Sequence, residues 1–170
     1  LRALLEKTGL SRRAFYQHFQ SMDDVLLALF EDTMAIGAAR LREQLAEIDN
    51  PIAALERLVR AIASGAVSSS ERIYNLAMTK EHIRLAEHRP GELNAALAPM
   101  HELIADLLRR GTKTGAVRET DTVRLAETVH GLISTEVHRN LHRGADDVDW
   151  IDRLWEFCLS GIGPSARRCR

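Results

Sequence analysis

The stretch GLSRRAFYQHFQSMDDVLLALF, Gly9 to Phe30, decides how the rest of the chain is read. Gly9 is a natural left-handed stop for the helical pattern of residues 1–8. Ser11 suits the N-cap of a short helix reaching Phe19. Ser21-Met22-Asp23-Asp24 then supplies a capping residue and early acids for a long helix to about residue 47. On a helical wheel of residues 11–19, Phe15 and Phe19 fall on one side, where they would pack against Leu4 and Leu5. Arg13, Ala14, Tyr16 and Gln17 fall opposite, with Arg12 and His18 on the shoulders. Two turns of helix are unstable by themselves, so neighbours must hold this one and leave its polar face free.

Helix, short turn with glycine, helix is the helix-turn-helix plan, in which the second helix enters the DNA major groove. Arginine reads guanine, glutamine reads adenine, and tyrosine and histidine bond phosphates. The same pattern also suits a solvated face on an ordinary αα-corner.

Outward from this stretch the chain reads as all-α. No alternating strand pattern persists, and glycine and proline sit mostly at boundaries. Pro51 fits the first turn of a helix to about Val67, and Ser68-Ser-Ser-Glu71 is a capping box for a helix to about Glu87. "HRPG" breaks the chain, and further helices are expected over 92–113, 121–142 and 148–161, about eight in all. The short helices before Ser21 and the long ones after it suggest a helix-turn-helix module over residues 1–22, a helical-bundle body over 23–163 and a tail over 164–170.

At 170 residues and 45% hydrophobic, the chain can bury a core of one or two domains. Its net charge of −1 points to no partner, but Arg2, Lys7, Arg12 and Arg13 against Glu6 give residues 1–22 a charge of +3, leaving −4 for the rest. A basic end on an acidic body suggests a local polyanion site. Cys158 and Cys169 are spaced for neither a disulfide framework nor a zinc site, and reduced thiols fit a cytoplasmic protein. No membrane span or signal peptide is visible.

Residues 1–30, LRALLEKTGLSRRAFYQHFQSMDDVLLALF, resemble the DNA-binding segment of the tetracycline-repressor (TetR) family of bacterial regulators. Gly9-Leu10-Ser11 stands for the family's turn, Phe15-Tyr16-Gln17-His18-Phe19 for the recognition-helix core, and Ser21 with Asp23-Asp24-Val25-Leu26 for the start of the next helix. Four positions depart from the pattern: Ala14 stands for Thr, Met22 for Lys, Gln20 for Pro and Thr8 for Ala. Loss of the hydroxyl and the lysine should weaken DNA contact. The resemblance also implies a further helix before Leu1.

The resemblance implies a homodimeric one-component regulator, more often a repressor, with Arg12, Arg13, Ala14, Tyr16, Gln17 and His18 facing a palindromic double-stranded operator. It implies a small-molecule effector between the middle helices, and no cofactor. Tyr74, Met78, His82, Met100, Leu103, Leu107, Glu127 and His130 are the candidates, since Met and Leu make adaptable walls that a few polar groups orient. The residues themselves suggest where a second copy docks. Val129, Ile133 and Val137 form an apolar stripe on the helix 121–142, and Ile151 and Trp155 lie on the apolar last helix, so two such helices could pair with a symmetry mate, unless both faces are used within one chain.

Two other readings stay open. Glu127-Thr-Val-His130 has the Glu-x-x-His spacing of di-iron bundles, but no other histidine has Glu three residues before it. A helical interaction module without DNA binding is the second. No nucleophile elbow, phosphate loop or paired-acid pattern points to an enzyme.

Overall fold

The computed structural model describes residues 1–66, 72–143 and 149–163, and these form helices joined by turns. The Ser68–Glu71 capping box and the tail over 164–170 lie outside the described residues. The helices are α1 (Arg2–Thr8), α2 (Arg12–His18), α3 (Met22–Leu45), α4 (Pro51–Ala66), α5 (Arg72–His88), α6 (Pro90–Lys113), α7 (Thr122–Arg143) and α8 (Trp150–Ile162).

Local chemistry sets most of these ends. Gly9 adopts φ 70, the left-handed region, and its N–H returns to the Leu5 carbonyl, which stops α1. Ser11 Oγ accepts the Ala14 N–H at 3.1 Å and opens α2. Ser21 and Asp24 cap α3 reciprocally: Ser21 Oγ accepts the Asp24 N–H while Asp24 Oδ2 accepts the Ser21 N–H. Asn50 Oδ1 accepts the N–H groups of Ile52 and Ala53 ahead of α4, and Asp121 Oδ1 does the same for Val123 and Arg124 at α7.

One boundary differs from expectation. The break at "HRPG" is a single residue, Arg89, because Pro90 fits the first turn of α6 rather than ending the preceding structure.

α6 is the centre of the body, and α3, α4, α5 and α7 all pack on it. The main core gathers Leu55, Leu58, Ile104, Leu108, Ile133, Trp155 and Ile162 among others, and a second core lies under the first half of α3 around Leu27, Phe30, Leu85 and Leu97. Where α6 ends, Gly111 sits against Val117, and a Cβ at that position would lie 2.4 Å from Val117 Cγ2. The following turn is tied to α8 by the Arg118 N–H on the Ile162 carbonyl at 3.1 Å.

α1 and α2 stand apart in their burial. α1 buries none of its residues, and α2 buries Phe15 alone. Two arginines fasten the start of α3 to the body. Arg84 of α5 grips Asp23 through both guanidinium nitrogens, at 2.6 and 3.2 Å, and Arg89 reaches Asp24 at 2.5 Å.

Candidate functional site

The exposed face of α2 carries Arg12, Arg13, Tyr16, Gln17 and His18, all open to solvent, with Ala14 half-buried. Phe15 anchors the helix from the other side, its ring tilted against Phe19 at 5.7 Å and edge-on to Tyr16 at 5.3 Å. Tyr16 is 56% exposed, a large ring left in water on a helix of seven residues. Arg12 and Arg13 join no ion pair among the described residues, whereas Arg84 and Arg89 are both bound to carboxylates. The two free guanidinium groups are therefore available to an outside anion.

A pocket of about 170 Å³ opens between α3, α4, α5 and α7. Its walls are largely apolar, with Phe30, Met34, Ile62, Leu97, Ile133 and Val137, and its polar groups include Thr33, Tyr74, Asn75, Thr79, His82, His130 and Ser134. The His82 ring stands edge-on to Phe30 at 5.9 Å. A second, outer hollow of about 220 Å³ adjoins it between α5, α6 and α7, and its lining includes Asn94, His101 and the exposed Glu127. The two share His82, Leu97, His130 and Ser134 as lining.

His130 is buried, and its Nδ1 lies 3.0 Å from His101 Nε2, so one ring donates its N–H to the other. Burial pushes the His130 pKa down to about 3, and the neighbouring His101 and His82 add to the effect. Burial lowers His82 and His101 as well. The cluster is therefore neutral at pH 7, a set of hydrogen-bonding groups without charge.

Tyr74, Met78, His82 and His130 line one pocket. Met100, Leu103 and Leu107 do not. Each is buried in the main core, since α6 turns that face toward α3 and α4 rather than toward the cavity. Glu127 is exposed and reaches only the outer hollow. Among the described residues no group of three or more His, Cys, Asp or Glu converges as a metal site.

The expected dimer stripe is corrected outright. Val129, Ile133 and Val137 are buried against the chain's own helices, with Ile133 at 0% exposure, and Trp155 is core as well. Ile151 is half-buried against the same core. A periodic apolar stripe reveals that a helix face is covered but not by what, and here the cover is internal. The outward surface of α7 and α8 is different. Leu132, Glu136, Arg139, Arg153 and Phe157 line an open groove of about 340 Å³, and Phe157 is 66% exposed.

Phe30, Met34, Ile62 and His101 were not anticipated as site residues. Nothing local marks the first three, because an apolar residue on a pocket wall looks like any core residue. The pairing of Asp23 and Asp24 with Arg84 and Arg89 carried a faint signal, two adjacent acids at a helix start.

The chain is similar in fold to solved structures of several regulators. The fatty acid degradation regulator FadR from Bacillus halodurans matches at a TM-score of 0.73 and 20% identity, covering 93% of this chain and 86% of that one. Thermus thermophilus FadR, a TetR family transcriptional repressor in complex with lauroyl-CoA, matches at 0.72 and 23%, covering 92% and 81%. The fold is that of the TetR-type regulators. RolR in complex with its ligand resorcinol matches at 0.70 and 17%, covering 95% of this chain and 76% of RolR. No protein-family model matches the chain, and no curated protein matches it. No described helix is long and apolar enough to cross a membrane.

Proposed function

We propose that this chain is a ligand-responsive transcriptional regulator, a repressor released from its operator by a small molecule. The observation that carries the reading is α2, whose unpaired Arg12 and Arg13 share an exposed face with Tyr16 and Gln17 while Phe15 holds the helix from behind. Free guanidinium groups, a phenol and an amide on one helix face are the groups that bind phosphates and base edges. Residues 1–22 form the DNA-binding module in this reading, and residues 23–163 the effector body.

The relatives in fold agree with it: one is held with resorcinol, another is a repressor held with lauroyl-CoA. A cytoplasmic homodimer on a palindromic site follows the same logic, because two recognition helices about one DNA turn apart read two half-sites. The surface offered to the second copy is the outer face of α7 and α8 around Phe157, in place of the buried stripe. The chain carries no catalytic role here. Its effector acts by preferring one arrangement of the body over another, and shifts the DNA-bound population by that difference in affinity.

A gel-shift titration with the DNA flanking the chain's own gene, at two salt concentrations, tests the proposal. Salt-dependent binding of a distinct site supports it. Absence of affinity for any duplex would leave a helical interaction module, the reading that Ala14 and Met22 favour.

A further inference from the structure

The two hollows behind His130 differ in what they can hold. The inner one, about 170 Å³, is close to the roughly 150 Å³ apolar cavity that accommodates a benzene ring. The outer one is about 220 Å³, and both reach solvent, the inner one beside the exposed Tyr74. Charge narrows the choice further. Among the described residues no lysine or arginine lines either space, and the single charged lining residue is Glu127, on the outer rim. Arg84 and Arg89, on the neighbouring helix ends, are already committed to Asp23 and Asp24. A carboxylate or phosphate placed inside would lose water and gain no counter-charge. An ammonium would find its one carboxylate on the exposed rim, away from the apolar walls.

What the inner space does offer is the ring of a neutral His130. With Nδ1 of His130 held by His101 Nε2 at 3.0 Å, the other nitrogen of a ring that lines both hollows is left for a ligand, as donor or acceptor according to tautomer. His101 fixes that ring without lining the inner space itself.

We infer that the effector is a small neutral molecule of about one ring in size, with its apolar body in the inner hollow and a hydroxyl-type group hydrogen-bonded to His130. This rests on reading the pocket as the effector site of a regulator. A longer body can extend into the outer hollow past His82 and Ser134, which line both.

The test uses the full chain, without DNA, at pH 7.5. Phenol, toluene, benzoate and benzylamine share the ring and differ in the polar group. Calorimetric titration should show phenol binding at least tenfold more tightly than the other three. His101→Leu, checked for unchanged helix content by circular dichroism, should bring phenol down to the level of toluene and leave toluene unchanged. Met78→Trp, which fills the inner hollow from its half-buried edge, should abolish binding of both. Benzoate or benzylamine binding as well as phenol, no binding by any of the four, or a Met78→Trp chain that still binds phenol would overturn the inference. A gel shift on the same preparation keeps the two readings apart. DNA binding without phenol binding removes the ligand class alone, and phenol binding without DNA affinity removes the regulator while the pocket stands.

Discussion

Arg89 meets Asp24 at 2.5 Å, and the same carboxyl group closes the N-terminus of α3 by accepting the backbone N–H groups of Gln20 and Ser21 at 2.9 Å. One side chain thus joins the turn after α2 to the junction of α5 and α6. The Arg89 guanidinium holds the Asp24 carboxyl below its ordinary pKa, with help from Ser21, and Arg84 does the same to Asp23. Since α5 also supplies Tyr74, Met78 and His82 to the pocket, these pairs connect the pocket wall to the helix that bears α1 and α2.

If that connection carries the signal, the double substitution Arg84→Gln with Arg89→Gln should leave operator binding in place and remove its response to effector. Coupling between sites in such proteins is typically about 5- to 150-fold in affinity, and the variant should show less than about twofold. Paired operator titrations with and without effector measure it.

The histidines set a pH dependence whose sign is fixed. His130 titrates near 3 in the folded chain, below the value of about 6.5 for a free imidazole. As pH falls through 6.5 the unfolded chain takes up a proton that the folded chain refuses, so stability present above pH 6.5 is lost progressively toward pH 3. One such proton costs about 1.4 kcal/mol per pH unit in that window. Urea unfolding at pH 7 and pH 5 should show the loss, and His130→Gln should flatten the slope by about one proton.

On α2, Arg13→Ala and Tyr16→Phe should each weaken operator binding by ~1–3 kcal/mol. Neither should move the unfolding temperature, because both side chains stand in solvent. Restoring Ala14→Thr should strengthen binding, and Met22→Lys should steepen its salt dependence by about one phosphate contact. An unchanged salt slope would mean that position 22 stays away from the DNA backbone.

Two charge insertions separate core from interface. Ile133→Asp places an unpaired carboxylate at a site with no solvent exposure and should unfold the chain, a penalty of several kcal/mol. Phe157→Asp changes an exposed side chain and should leave the fold intact while converting a dimer to monomer in light scattering. A Phe157→Asp chain that stayed dimeric would move the interface elsewhere.

Gly111→Ala should destabilise by ~1–3 kcal/mol, since the new methyl collides with Val117 across the end of α6. Adding Val117→Ala should recover part of the loss, and a double-mutant cycle by thermal unfolding reads the coupling.

Which parts of this molecule could be read from its sequence follows from the range of the forces involved. Gly9, Ser11 and Ser21 act on backbone groups within a few residues, so the ends of α1, α2 and α3 were legible. The Phe15 and Tyr16 faces of α2 were legible for the same reason, as neighbours on one helix. The neighbours of Ile133 and Met100 were not. A stripe on α7 or α6 is satisfied by any apolar partner, and whether that partner is another helix, a cavity or a second chain depends on how distant elements rotate. The pocket lay between these cases. His82 and His130 invited suspicion as polar groups on apolar helices, whereas His101, their bonding partner, stood out only once α6 and α7 were side by side.

α7 is a single helix with two obligations. Its His130, Ile133 and Val137 look into the inner hollow, and its Leu132, Glu136 and Arg139 look outward with Phe157 of α8. Whatever displaces the first set displaces the second, since the two surfaces are separated by one helix diameter, about 10 Å. In a pair of chains joined along that outer surface, the two cavities are thermodynamically linked. The first molecule to enter changes the joint that the second cavity leans on, and by reciprocity the strength of the joint changes with occupancy by the same factor. Ligand titrations would then depart from a simple hyperbola, and their midpoint would drift with the concentration of protein.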